Sequence, residues 1–307
     1  MSVLIVGSLA YDSVSSPAGQ VDQALGGSAT YGGLACQFHL KRLGQTNAAV
    51  VGVVGADFSP TDRELLLASG LDLSGLEVAE GETFRWEGAY HGSMAEAETL
   101  ATHLNVFEHF EAKVPEALST PSVLFCANLH PGIQQSVMDQ TQPRSLTMLD
   151  SMNLWISIAK DELLEAMRRA DLIIINDGEA RMLADDENLV RAMRTIADQT
   201  STRTLVVKRG EHGVLAVHDG AHVALPAYPT EAVVDPTGCG DTFAGTLAAL
   251  MASDDAPITL ASLRQGLVHA TVTASFTLEA FGTTALQGLT SAAYEERLQA
   301  YLRMISP

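Results

Sequence analysis

Twelve residues late in the chain carry its densest set of chemistry-bearing types: Val234-Asp235-Pro236-Thr237-Gly238-Cys239-Gly240-Asp241-Thr242-Phe243-Ala244-Gly245. Gly238 and Gly240 permit a tight turn whose successive N–H groups point the same way, and an apolar run that reads as a helix begins near Asp241. The positive end of that helix adds to the nest. Such a site suits a phosphoryl group gaining negative charge, with Asp241 beside it as a base. The same residues also fit an ordinary N-cap turn closed by a capping aspartate, and the local sequence leaves both readings open.

Further candidates lie where apolar runs end. Leu172 to Ile175 reads as a buried strand, and its exit, Asn176-Asp177-Gly178-Glu179, puts Asn176 and Glu179 on one face of an incipient helix. An amide and a carboxylate there can hold a hydrated Mg²⁺, an ion that takes oxygen ligands and keeps waters. They also fit a capping box, and both readings can hold at once. Near the start, Val3 to Val6 is a buried strand running into Gly7-Ser8, and Leu9 to Val14 places Asp12 just beyond it. Gly26-Gly27-Ser28 opens an Ala-rich helix reaching Arg42, with Ser28 or Thr30 as its cap. Paired glycines let a ligand approach the backbone, although simple tight turns use them as often. Lys208 to Gly213 turns between strands, where Gly210 and Gly213 can border a nucleotide.

The elements that position these residues alternate. Strands are expected at Ala48 to Val54, Val123 to Ala127, Leu146 to Leu149 (with Asp150 at its end) and Leu205 to Val207, then a hairpin over Val214 to Leu225. Helices are expected over Ser59 to Ser69, Gly132 to Gln140, Ile158 to Arg169, Leu189 to Gln199, Thr242 to Met251, Leu260 to Phe276 and Ala292 to Met304. Repeated βα units without a low-complexity linker predict an α/β fold with a mostly parallel sheet covered on both faces. Thr83 to Tyr90 and Thr99 to Val106 break the rhythm and read as antiparallel strands outside that sheet, a lid or dimer surface. His91, His103 and His109 show no metal-ligand spacing and read as surface or turn residues.

Composition narrows the function. With 307 residues, 47% hydrophobic content and a net charge of −19, the chain reads as a large globular domain that disfavours nucleic acid and acidic membranes. No apolar run reaches membrane-spanning length, and the start shows no signal sequence, so a cytoplasmic location is expected. Cys36, Cys126 and Cys239 are far apart, which argues against a disulfide scaffold or a zinc site. The sequence contains no G-x-x-x-x-G-K-[ST] motif, no complete protein-kinase set and no dinucleotide fingerprint after Gly7. Asp12, Asn176 with Glu179, and Asp241 all follow strand ends, where ligands of open α/β sheets bind.

The stretch Asp235-Pro236-Thr237-Gly238-Cys239-Gly240-Asp241-Thr242-Phe243 resembles the second signature of the ribokinase-like, or PfkB-type, carbohydrate kinases, which usually reads D-T-x-G-A-G-D. Pro236 and Cys239 depart mildly from it, and Cys239 reads as a backbone donor, not a nucleophile. The resemblance spans nearly the whole chain, from Gly7-Ser8 and Asp12 through Gly26-Gly27 and Asn176-x-x-Glu179 to Lys208 to Gly213. It implies a single ribokinase-like domain over 1–307, a three-layer α/β/α fold with a small β lid in segments around 11–20 and 76–106. It also implies ATP and Mg²⁺ as partners of catalysis, a homodimer contact through the lid, and K⁺ bound near Asp235 and Thr237. By the resemblance Asp241 is the general base and Gly238, Cys239 and Gly240 form the anion hole. Asn176 and Glu179 arrange Mg²⁺ through water, Asp12, Gly26 and Gly27 hold the acceptor's hydroxyls, and Lys208, Gly210 and Gly213 lie by the nucleotide.

One departure concerns the acceptor. Where the family often has an Asn after the double glycine, this chain has Ser28-Ala29-Thr30-Tyr31. Tyr31 can stack on a base or simply pack, and Asn128, His130 or Asp150 can supply contacts instead. The expectation is transfer of the γ-phosphate to a small sugar or polyol. Its alternatives are an adenosine-like nucleoside acceptor and a non-catalytic binding protein on the same scaffold.

Overall fold

The computed structural model describes residues 2–94, 96–252 and 256–306; position 95, inside the expected lid segment, lies outside the described residues. The chain opens with β1 (Val3–Val6), β2 (Ala10–Ser16) and β3 (Gly19–Gly26), then α1 (Ser28–Arg42) and β4 (Ala48–Gly55). α2 (Pro60–Ser69) leads to β5 (Asp72–Ala79), β6 (Phe84–Tyr90) and β7 (Ala97–His103). The βα rhythm resumes with β8 (Val123–Cys126), α3 (Pro131–Gln140), β9 (Leu146–Asp150), α4 (Asn153–Ile158) and α5 (Lys160–Arg168). β10 (Leu172–Asn176), α6 (Asp177–Ala184), α7 (Leu189–Thr200) and β11 (Thr204–Lys208) follow, then β12 (Val214–His218) and β13 (Ala221–Leu225). Four helices close the chain: α8 (Cys239–Met251), α9 (Leu260–Thr277), α10 (Thr284–Gln287) and α11 (Ser291–Ile305).

The central sheet runs β13-β12-β11-β10-β9-β8-β1-β4-β5 and is parallel except for the β11-β12-β13 edge. Its strands are apolar at consecutive positions because both faces are covered. Val3 and Ile5 point into a core shared with α1, α8, α9 and α11. Their neighbours Leu4 and Val6 point the other way, into a core shared with α3. Further along that second face, Ile173 and Ile175 meet α5, α6 and α7. Three layers result, as the sequence predicts. The chain winds outward in opposite directions from β1, towards β4 on one side and β8 on the other. That switch opens a crevice at the carboxyl ends of the strands.

A second sheet, β3-β2-β6-β7, forms the lid. Its bounds differ from the expected ones. Residues 72–79 form the edge strand of the central sheet, paired in parallel with β4. β3, absent from the sequence expectation, completes a hairpin with β2. Its pattern is mostly exposed and polar, so only its partner strand holds it in extended form. Asp12 therefore lies within a lid strand, as the 11–20 lid segment implied, and not just beyond a central strand as the run from Leu9 to Val14 suggested; the β2–β3 register shifts between Asp12 and Val14. A bulge of this kind re-aims a side chain. The expected Ile158 to Arg169 helix is α5, which begins at Lys160; Ala159, at a φ of −143°, separates it from α4, a short helix absent from the sequence expectation.

The start of α1 also corrects an expectation. Neither Ser28 nor Thr30 caps it. Ser8, at the exit of β1, receives the N–H of Ala29 on its carbonyl at 2.9 Å and that of Ser28 on its hydroxyl at 3.0 Å. The Ser28 hydroxyl in turn accepts the Ser8 N–H at 3.1 Å. Gly27 makes the turn at a φ of +93°, with a would-be Cβ only 2.5 Å from the Ser8 carbonyl oxygen, so glycine is required there.

Candidate active site

Three adjacent parallel strands deliver three functional residues side by side. Asp150 ends β9, Asn176 ends β10 and Lys208 ends β11; Asn176 pairs with Lys208, and Asp150 pairs with Ile174. Across from them, Gly238 turns at a φ of +75° into α8, whose first turn carries Asp241. The Cys239 N–H folds back onto the Pro236 carbonyl at 3.2 Å, and the Thr242 N–H begins the helix ladder on Gly238 at 2.8 Å. Gly240 is thus a first-turn N–H donor without a backbone partner, while the Asp241 N–H serves its own carboxylate. Of the three expected anion-hole donors, Cys239 is the one already engaged. Its thiol donates to the Ala274 carbonyl at 3.7 Å and is pushed up by burial, which fits a packing role and not a nucleophile.

Asp241 sits where its ionised form is disfavoured. Burial pushes its carboxyl up to about 7, the Asp150 charge adds to this and Lys208 opposes it. Asp12 is 5% exposed and also pushed up to about 7, first by burial and then by Asp235 and Asp241, against one backbone N–H from Gly27. Its carboxylate rests on Gly26, where a Cβ would stand 1.9 Å from Oδ2. A buried carboxylate with one backbone donor is suited to accept a pair of hydroxyls. The structure thus brings Asp12, Gly26, Gly27, Asp235 and Asp241 into one electrostatic neighbourhood.

Asn176 and Glu179 form the capping box in full. The Asn176 side chain accepts the Glu179 N–H at 2.8 Å, while Glu179 Oε2 accepts the Asn176 N–H at 2.8 Å. Glu179 Oε1 accepts from the Asn176 amide at 2.7 Å. Burial pushes the Glu179 carboxyl up to about 7; Lys208 opposes that shift, and Asp150 and Asp241 reinforce it. With both oxygens in hydrogen bonds, Glu179 fits Mg²⁺ through a water better than by direct ligation. Among the described residues no group of three or more His, Cys, Asp or Glu forms a metal cage.

Asp235 is 1% exposed and accepts N–H groups from Thr237 at 2.9 Å and Gly282 at 3.3 Å. Burial still pushes its carboxyl up. A cation close to it would relieve that cost, so the loop fits a monovalent ion. The Thr237 hydroxyl lies 3.2 Å from the Tyr90 hydroxyl of β6, which ties the signature loop to the lid.

Several expected contacts fall elsewhere. Tyr31 is 1% exposed, and its ring lies directly under Gly238, 2.4 Å from the position of an added Cβ. It packs beneath the Gly238 turn that heads α8. Its hydroxyl is buried and has no hydrogen-bond partner among the described residues. Tyr31→Phe is therefore expected to hold or raise the melting temperature and keep kcat within about 3-fold, because removing an unpaired buried hydroxyl removes a cost. A rise of 10-fold in acceptor KM would show instead that the hydroxyl reaches the acceptor. Asn128 is committed to Trp155, whose indole N–H it accepts at 2.9 Å, and to Met152 Sδ at 3.1 Å. Gly213 needs its φ of +82° because a Cβ would stand 2.1 Å from the Leu225 carbonyl, whereas Gly210 faces open space.

The Asp150–Lys208 pair is the feature that the sequence did not disclose. Lys208 Nζ donates to Asp150 at 3.0 and 3.3 Å, with the two side chains 17% and 4% exposed. These residues stand 58 positions apart, and no local pattern links them.

Fold and site together define an ATP-dependent phosphotransferase of the ribokinase class. Residues 2–288 match the pfkB family carbohydrate kinase pattern, and the chain belongs to that family. Cytidine kinase from Thermococcus kodakarensis is 29% identical over 252 residues, covering 80% of this chain and 86% of its own. The bifunctional protein HldE of Stutzerimonas stutzeri is 39% identical over 112 residues, 34% of this chain and 24% of its own. Among solved structures, the Methanocaldococcus jannaschii nucleoside kinase superposes with a TM-score of 0.77 at 19% identity, covering 98% of this chain and 99% of its own. The Burkholderia thailandensis nucleoside kinase, solved with inosine, gives 0.77 at 22% identity over the same shares. At these identities the two structures speak for the fold alone. Among the described residues no helix is long and apolar enough to cross a membrane.

Proposed function

We propose that this chain transfers the γ-phosphate of ATP to the primary hydroxyl of a nucleoside. The observation that carries the reading is the similarity to a cytidine kinase over 80% of the chain. Matches to the HldE proteins cover about a third of it or fall to 22% identity. This reading replaces the expected sugar or polyol acceptor with the nucleoside alternative. The site is compatible with it: Asp12, bedded on Gly26, suits the vicinal diol of a ribose, a feature that free sugars share.

In this reading Asp241 takes the proton of the attacking hydroxyl, and the N–H group of Gly240 receives the charge that develops on the transferred phosphoryl group. Positioning and charge stabilisation are the main demands of phosphoryl transfer. Glu179 would hold a water of the Mg²⁺ that accompanies ATP, and Asp235 would balance a monovalent cation behind the loop. The experiment is an ATP-consumption screen over cytidine, purine nucleosides, their 2′-deoxy forms, ribose, hexoses and polyols, with the Asp241→Asn protein as blank. A ribonucleoside is expected to lead ribose by at least about 10²-fold in kcat/KM, since the base contributes binding that free ribose lacks. Asp12→Ala should raise the nucleoside KM by at least about 10-fold and leave that of ATP within a few fold, as loss of a hydrogen-bonded charge predicts. A hexose or polyol as best substrate would overturn the nucleoside reading.

A further inference from the structure

Lys208 is a buried cation that the transfer chemistry just described does not use. Its Nζ is fixed at 3.0 and 3.3 Å from the two oxygens of Asp150. It also stands 3.1 Å from the point that a Cβ on Gly240 would occupy, so the ammonium abuts the backbone that heads α8. The charges of three carboxylates act on it from three elements: Asp150 of β9 by direct contact, Glu179 of α6 and Asp241 of α8 through space. Lys208 is thus the positive charge at the meeting point of the acids and the anion-hole turn, in a chain whose net charge is −19. A buried ion pair is seldom more stabilising than two well-packed apolar residues, so stability alone gives little reason for one here.

We propose that Lys208, held in place by Asp150, supplies the side-chain positive charge of the anion hole and stabilises the phosphoryl group during transfer. The inference rests on the base and anion-hole reading given above. In the step itself the acceptor oxygen bonds to the γ-phosphorus and its proton passes to the Asp241 carboxylate. The bond from that phosphorus to the bridging oxygen breaks, and its electron pair leaves on the β-phosphate of ADP. Lys208 keeps all its protons throughout and acts by charge alone. Asp150 is a positioning residue: it fixes the ammonium beside Gly240, the direction in which preorganised charge is most effective.

The test compares Lys208→Met, Lys208→Arg, Asp150→Asn and the double variant Asp150→Asn/Lys208→Met, with Asp241→Asn measured in parallel and folding checked by thermal unfolding. Lys208→Met should lower kcat by at least about 10²-fold, the scale of losing one oxyanion donor, with acceptor KM within about 3-fold. Lys208→Arg should recover at least 10-fold of that loss. The double variant should be no slower than Lys208→Met, because Asp150 acts only through the ammonium. Should Lys208→Met fail to fold, the double variant, which removes the carboxylate hydrogen-bonded to the ammonium together with the ammonium itself, carries the measurement. A folded Lys208→Met or double variant with kcat within about 3-fold of the native enzyme overturns the inference, as does an arginine variant no faster than methionine. If Asp241→Asn is inactive in that same comparison, the base assignment stands and only the role of Lys208 falls. If Asp241→Asn turns over normally, the underlying reading fails first.

Discussion

Asp241→Asn is expected to lower kcat by at least about 10²-fold and, at the same time, to make the folded protein more stable at pH 8. The first effect follows from loss of a positioned proton acceptor. The second follows from where the carboxyl sits. Burial pushes Asp241 up to about 7, helped by Asp150 and resisted by Lys208, against an ordinary value of 3.8. The folded state therefore binds more protons than the unfolded one between those two values. Stability present below the lower value is lost as pH rises through the upper one. Asparagine carries no charge to desolvate, so its advantage is full above pH 7 and shrinks towards pH 4. The shift sets an upper limit of about 4 kcal/mol, and sharing of charge with Lys208 brings the expected gain to about 1–2 kcal/mol. Urea unfolding of both proteins at pH 5 and pH 8 measures it. An equal difference at the two pH values would show that Asp241 ionises normally. The same carboxyl should give the kcat/KM profile of the native enzyme an acid limb, with activity falling as pH drops below about 7.

Gly245→Ala is expected to cost about 2–4 kcal/mol of stability and more than 10-fold in kcat/KM, although residue 245 touches no substrate. A Cβ there would stand 2.1 Å from the Gly32 carbonyl oxygen and 2.6 Å from the Gly32 carbonyl carbon and Cα. All three are backbone atoms of α1, so no side-chain rotation can relieve the clash and the helices must separate. α8 carries Asp241 in its first turn, and α1 begins at the Gly26-Gly27 turn against which Asp12 rests. Parting them shifts Asp241 relative to Asp12, the proposed base relative to the proposed acceptor contact. Gly288→Ala is the control: its φ is −86° and an added methyl meets nothing nearer than 3.6 Å, so thermal unfolding and kcat/KM should stay near native values. A Gly245→Ala protein as stable and as active as the control would show that the helix crossing has slack that the contact distances do not suggest.

How much of this was legible in the sequence depends on the range of the interactions concerned. Runs such as Val3 to Val6 and Leu172 to Ile175 declare buried strands by themselves, since a strand covered on both faces needs apolar side chains at every position. The Gly238-x-Gly240-Asp241 turn and the Asn176-x-x-Glu179 cap are likewise local devices, so their residue types and spacing announce them. β3 was not legible, because a polar, exposed strand is held by its partner and not by its own composition. Tyr31 reads equally well as a stacking or a packing residue until Gly238, far along the chain, is found on its ring.

The sequence by itself therefore determined the layered fold and the transfer turn, because hydrophobic periodicity and glycine-permitted backbone are properties of neighbouring residues. Only the tertiary structure decided that a bulge in β2 sets Asp12 against Gly26, that Gly245 presses on Gly32, and that Asp150 and Lys208 meet beside the head of α8. Each of these depends on which strands and helices end up adjacent, and charge or contact across such distances leaves no periodic trace in the chain.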